Sequence, residues 1–91
     1  MKLTKAAQAG SLESCDILIT VEPGKLGSGF VLDLESPSLV QFGEQIESEI
    51  KEVVDLHKIK DVKITAIDKG SLTYCIKART ETALLRASGE E

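Results

Sequence analysis

The side chains with which this chain could do chemistry are few and scattered. It has one histidine, His57, at the apolar edge of a helical segment. No serine and carboxylate converge on it as a nucleophile–base–orienter set would require. Cys15 and Cys75 lie far apart in sequence, without the short spacings that hold a metal, and the histidine falls in a third segment. The stretch Gly24 to Gly29 is rich in glycine. It lacks the lysine and hydroxyl order of a phosphate-cradling loop, and it joins two strand-like segments instead of a strand and a helix. Glu44 and Glu47 share the polar face of a helix, where charge is mainly solubilising. Glu13 and Asp16 differ because a hydroxyl, Ser14, lies between them just ahead of a strand. Such a residue is expected on the accessible loop side of a rigid sheet. From chemistry alone it is a surface serine in an N-terminal loop. No catalytic or metal-ligating set is expected.

The elements that must position Ser14 are legible in the periodicity. Residues 1–13 lack clear alternation and read as a partly ordered arm, residues 14–88 as a single domain, and residues 89–91 as a frayed tail. Ile17, Ile19 and Val21 alternate with Leu18, Thr20 and Glu22, which predicts a half-buried strand. The run from Pro23 to Gly29 breaks it. Phe30, Leu32 and Leu34 then mark a second strand, expected to pair antiparallel with the first. Ser36 could cap a helix opened by Pro37. Apolar residues at Leu39, Phe42, Ile46, Ile50 and Val53 lay one stripe along it to about His57. Glu47 and Lys51 stand in the favourable i,i+4 order. Gly43 inside this helix costs about 1 kcal/mol relative to alanine, which a close approach of helix to sheet would explain. Val62, Ile64 and Ala66 predict a third strand, and Asp68-Lys69-Gly70-Ser71 a tight turn. Leu72, Tyr74, Ile76 and Ala78 predict a fourth strand, although Leu72, Cys75, Ile76 and Arg79 also fit a helical period. Thr80 to Ala87 reads as a short closing helix. The expected fold is a two-layer α+β domain, β-β-α-β-β-α, with a four-stranded antiparallel sheet and one long and one short helix.

Composition narrows the function class. With 91 residues there is room for one domain, and 42% apolar and 29% charged residues are ordinary for a globular one. The net charge of -4 and an aromatic content of 3% argue against a phosphate backbone or stacked bases as partner. No apolar run approaches the roughly 20 residues of a membrane span. Lys2 and Lys5 precede no apolar stretch of the secretory kind, so the expected location is the cytoplasm, with both thiols reduced.

Gly10, Leu12-Glu13-Ser14 and Asp16, taken in order with Gln41-Phe42-Gly43, Asp68-Lys69-Gly70-Ser71-Leu72, Ala78-Arg79 and Leu85-Arg86-Ala87, resemble the citrate lyase acyl carrier protein (gamma subunit) family over essentially the whole chain. The resemblance implies a non-catalytic carrier. In it, Ser14 would bear a phosphoribosyl-dephospho-coenzyme A group through a phosphodiester. The terminal thiol of that group would carry acetyl and citryl groups between an alpha subunit (the transferase) and a beta subunit (the lyase), after a prosthetic-group transferase had installed it. Ser11 stands where threonine is common in the family, Cys15 where glycine or serine is usual, and Ser71 where alanine is usual. A carrier needs no acid, base or metal of its own, because the cofactor brings the reactive group. The readings that compete are the malonate decarboxylase carrier subunit, which uses the same arm, and an unmodified interaction module. Lys69, Lys77, Arg79 and Arg86 concentrate positive charge in the C-terminal third. Arg79 and Arg86 are expected to seat partners or steady the phosphates of the arm, since a guanidinium grips either with two hydrogen bonds.

Overall fold

The computed structural model describes residues 1–89; Glu90 and Glu91, part of the expected tail, lie outside them. The chain runs β1 (Ala7–Gly10), β2 (Ile17–Pro23), β3 (Phe30–Glu35), α1 (Leu39–Leu56), β4 (Val62–Asp68), α2 (Thr73–Ser88). The α+β class, the count of four strands and the two layers are as expected, but the sheet is mixed and not wholly antiparallel, and two of the elements differ. Residues 73–79 are helical, not a strand, with Leu72 as the extended N-cap, and they join the closing segment in one 16-residue helix. The fourth strand is instead residues 7–10, inside the stretch read as an arm.

Burial explains the exchange. A strand over 72–79 would turn Leu72 and Tyr74 toward the core, yet Tyr74 is 70% exposed. The helical period instead buries Ile76, Thr80, Ala83, Leu84 and Ala87 along one stripe. Thr80 is accommodated there because its hydroxyl donates 2.7 Å to the Ile76 carbonyl. The small residues Ala83 and Ala87 on α2, with Ala9 on β1, are all buried in the same core.

The strand order is β1-β2-β4-β3. β2 and β3 run in opposite directions, as expected, but they are not partners. β4 lies between them, antiparallel to β2 (Ile19↔Ala66) and parallel to β3 (Leu32↔Ile64). The most apolar strands take the centre: Ile17, Ile19 and Val21 of β2 and Val62, Ile64 and Ala66 of β4 are completely buried. Phe30, Leu32 and Leu34 of β3 are only partly buried, as suits an edge. The parallel β3–β4 pair requires a crossover connection, and α1 supplies it.

α1 buries Ile46, Glu49, Ile50, Val53 and Val54, while Leu39 and Phe42, expected on the same stripe, stay about half exposed. The helix begins at Leu39, with Ser38 at its N-cap and no side-chain cap. Ser36 is occupied elsewhere, donating 2.8 Å to Asp68 Oδ2 and accepting from the Ser38 amide. Gly43 makes no close approach to the sheet: a Cβ there would meet only the Leu39 side chain, at 3.1 Å. The expected explanation for that glycine therefore fails, and nothing in the structure replaces it. Lys51 pairs with Asp55 at 3.1 Å instead of with Glu47.

The topology gathers one set of ends together. β2 begins beside the end of β4 (Ile17↔Asp68), β3 ends there (Glu35↔Ile67), and both helices start from those strand ends. The β1–β2 connection, with Ser14, caps the same end.

Candidate functional site

The β1–β2 connection is short and tightly held. Gly10 closes it with φ +97, and a Cβ at that position would fall 1.8 Å from the Ile17 carbonyl oxygen. Only glycine lets the chain pass that backbone. Beyond it, the Asp16 amide donates 3.1 Å to the Glu13 carbonyl, closing a four-residue turn, Glu13-Ser14-Cys15-Asp16. Ser14 sits at the second position, on the outer corner, and is exposed. Its Oγ has one short-range neighbour among the described residues, the Cys15 Sγ at 3.8 Å.

Cys15 occupies the third position with φ 66, a left-handed conformation that favours glycine. The preference of the resembled family for a small residue there thus has a backbone cause, and cysteine adopts the conformation at some cost in strain. The Cys15 amide donates 2.8 Å to the Lys69 carbonyl, and the Lys69 amide donates 2.9 Å to the Asp16 carbonyl, so the turn is stitched to the end of β4 on both sides.

Asp16 is the hub. Ser11 Oγ donates to its Oδ2 at 2.6 Å and the Ile17 amide to its Oδ1 at 2.7 Å. Arg79 of α2 grips both oxygens, Nε to Oδ1 at 3.2 Å and Nη2 to Oδ2 at 3.1 Å. The Ser11 hydroxyl, the Ile17 amide and the Arg79 guanidinium together lower the Asp16 carboxyl to a pKa of about 2. Ser11 also accepts from the Glu13 amide. A threonine hydroxyl would serve equally, which accounts for the exchange noted from the sequence.

Asp68 organises the adjoining loops in the same manner. Buried at the end of β4, it accepts from the Gly70 and Ser71 amides and from Ser36 Oγ. The tight turn expected at 68–71 is therefore present. Two clefts flank this carboxylate. One, beside Ser14, is lined by Leu12, Glu35, Ser36, Pro37, Ile67 and Lys69. The other lies between the starts of α1 and α2.

The remaining candidates lie apart. His57, at the C-cap of α1, faces Glu81 at 3.2 Å, at the end of α1 remote from Ser14. Cys15 and Cys75 are free thiols. No group of three potential metal ligands exists among the described residues, and none of their helices is long and apolar enough to cross a membrane. The arginines expected to meet partners or phosphates are engaged within the chain: Arg79 on Asp16, and Arg86 Nη1 on the Gln8 carbonyl of β1 at 2.9 Å. Lys77 pairs with Glu52. Sequence reasoning missed Ser11, Arg79 and Lys69 as supports of the turn. The partner of Arg79 is remote in sequence and those of Lys69 are backbone atoms, so no local pattern announces them; Ser11 and Asp16 are five residues apart, and their spacing was the one local signal.

Comparison with known proteins agrees with this picture. The family model of the malonate decarboxylase delta subunit, an acyl carrier protein, matches residues 4–87. The citrate lyase acyl carrier protein of Halothermothrix orenii is 46% identical over 88 residues, covering 97% of this chain and 92% of that one. The protein of the same name from Streptococcus mutans is 44% identical over 91 residues, covering 100% of this chain and 88% of its own. Among solved structures, a chain of a Pseudomonas malonate decarboxylase hetero-tetramer superposes with a TM-score of 0.76 at 18% identity, over 91% of this chain and 84% of that one, and so shares the fold. Ser14 thus stands exposed at the corner of a braced turn, and the chain belongs to the citrate lyase acyl carrier protein family, a family of carrier subunits and not of catalysts.

Proposed function

We propose that this chain is the acyl carrier subunit of citrate lyase, and that Ser14 Oγ is the point at which its phosphoribosyl-dephospho-coenzyme A group is attached. The observation that carries the reading is the placement of Ser14. It is exposed at the corner of a turn held on both sides: Ser11 and Arg79 bond the Asp16 carboxylate, and the Cys15 amide bonds the Lys69 carbonyl. The residues present fit the group. Ser14 offers an exposed hydroxyl, and the exposed Lys69 lines the same cleft, a cation suited to the charge of a phosphodiester. When bound, the group supplies a thiol that holds the acyl cargo as a thioester. The protein's own contribution is mechanical. It fixes the root of the arm and leaves the reaction to the alpha and beta subunits, which a tethered cargo meets at an effective concentration of order millimolar. A cytoplasmic location and installation by a dedicated transferase belong to the same reading.

The second reading is a malonate decarboxylase carrier, favoured by the family model and by the shared fold. The identities of 40–46% to citrate lyase carriers over nearly the full chain favour the first.

The decisive experiment is modification by the transferase with the prosthetic-group precursor, followed by intact mass and peptide mapping. One added group on Ser14, none on Ser14→Ala, and restoration of citrate cleavage with the two catalytic subunits are the expected results. Ser14→Ala should change folding stability by no more than about 0.5 kcal/mol, as befits an exposed hydroxyl. An adduct on Ser11 or Cys15, or no adduct, would overturn the assignment. Activity only with malonate decarboxylase subunits would establish the second reading.

A further inference from the structure

The second cleft beside Asp68 has no role in holding the turn. It lies between the start of α1 and the 68–73 loop, with a volume of about 310 Å³. Its apolar walls are Phe42 and Ile46 on one side and Leu72 and Ile76 on the other. Phe42 and Leu72 leave about half of their surface exposed at its rim. Its polar lining includes the buried carboxylates of Glu49 and Asp68. Glu49 is held by Thr73 Oγ1 at 2.7 Å and Gln45 Nε2 at 3.1 Å. Ser71 also lines the cleft, and its Oγ is the single buried side-chain polar atom among the described residues without a hydrogen-bond partner. Leaving such a group unsatisfied costs roughly 1–3 kcal/mol.

Three features say what fits here. The cleft shares Asp68 with the one that Ser14 lines, and the Ser36–Ser38 turn borders both, so the two clefts are neighbours on the end of the fold that bears Ser14. Apolar walls with an unsatisfied hydroxyl suit a chain of methylenes and methyl groups interrupted by amides, which is the chemistry of the pantetheine part of a coenzyme A group. The two carboxylates at the lining oppose any cargo that brings carboxylates of its own.

Resting on the reading that Ser14 bears the arm, we propose that this cleft is a docking site for the thiol end of the carrier's own arm. It accepts the arm when the cargo is acetyl and excludes it when the cargo carries negative charge. The acetylated carrier then shields its thioester between encounters, while a citryl cargo stays outside and open to the lyase subunit. With an effective concentration of order millimolar and a cleft of millimolar affinity, about half of the acetyl form is docked, which slows attack on the thioester about twofold.

The test uses the full chain with methyl-labelled isoleucine and leucine, in apo, free-thiol, S-acetyl and S-succinyl forms, each confirmed by peptide mass to carry the group on Ser14. The S-acetyl form should shift the methyl resonances of Ile46, Leu72 and Ile76. Those of Leu26 and Leu56, which are exposed and at the other end of the molecule, should stay put. The S-succinyl form should return the cleft resonances to their apo positions. Hydroxylamine should cleave the acetyl thioester about twofold more slowly on the parent than on Ser71→Ala, a variant that loses a hydroxyl without losing a hydrogen bond and so keeps the fold. Shifts confined to the Ser14 turn in every form, equal shifts for acetyl and succinyl, or identical cleavage rates in the parent and Ser71→Ala would each overturn the inference while leaving the attachment site intact. Absence of the group from Ser14 would overturn both.

Discussion

The two loops at opposite ends of β2 achieve order in different ways. The β2–β3 loop runs through three glycines: Gly24 packs against the Asp61–Val62 backbone, Gly27 and Gly29 stand at positive φ in open space, and Leu26 is left 99% exposed. Backbone bonds and one carboxylate restrain it: Asp61 accepts from the Gly29 amide at 2.8 Å, and amides of the loop hold its pKa below the usual range. The β1–β2 turn has one glycine, which close backbone contact makes obligatory, and it places a cysteine in the left-handed conformation where the other loop uses glycine. Its carboxylate, Asp16, is gripped by a side chain from a helix at the far end of the sequence. Glycine and backbone bonds make a loop that connects. A non-glycine residue in the left-handed conformation and a long-range ion pair make a turn that holds a side chain at a fixed place. A tether needs the second kind, because positional freedom at the root of an arm widens the volume its tip must search.

The contrast can be broken most severely at Gly10. Gly10→Ala drives a methyl into the Ile17 carbonyl and is expected to cost about 3 kcal/mol or more in urea unfolding, whereas Gly27→Ala, strained by its φ but unobstructed, costs about 1 kcal/mol. Equal losses would show that the two loops are alike after all.

The Arg79–Asp16 grip comes next. A double-mutant cycle with Arg79→Ala and Asp16→Asn should return a coupling of about 1 kcal/mol, since a forked, charge-assisted contact that is partly exposed falls above a plain surface pair and below a buried one. In the Arg79→Ala carrier, backbone relaxation should show new motion confined to residues 11–16. A coupling near zero would make the fork a surface ornament.

Acid sharpens the same point. The pKa of Asp16 is lowered in the folded state, so its contribution is full above about pH 4 and is lost as pH falls toward about 2. Asp61 shifts in the same direction. Unfolding measured between pH 5 and pH 2 should therefore lose stability in the parent and less of it in Asp16→Asn. An unchanged pH slope in that variant would remove Asp16 from its place as hub.

The smallest expected effect, and opposite in sign, is at Cys15. Cys15→Gly relieves the left-handed strain and adds backbone freedom to the unfolded chain, for a net stabilisation of up to about 1 kcal/mol in the same unfolding assay. Loss of stability there would mean that the thiol contributes packing which offsets the strain.

Strands β2, β3 and β4 and helix α1 were readable within a residue or two of their bounds, because each is a run of one clean period. Ser14 was readable as an exposed hydroxyl, because a break between an irregular stretch and an alternating strand places it in a loop whatever the neighbours are. Residues 72–79 satisfied both periods, and no local rule chose between them. The choice was made where Ile76 and Thr80 continue into Ala83, Leu84 and Ala87 as one buried stripe, leaving the free edge of β2 to the short segment 7–10. The same limit hid the strand order, since alternation tells which side of a strand is buried and not which strand lies beside it. It also hid the support of the site: Asp16 and Arg79 are 63 residues apart, and the Lys69 backbone groups that stitch the turn to the end of β4 carry no side-chain signature. Local sequence determined β2, β3, β4, α1 and the exposed hydroxyl. Only the packed structure, in which distant groups compete for the same burial and the same hydrogen bonds, decided what holds that hydroxyl still.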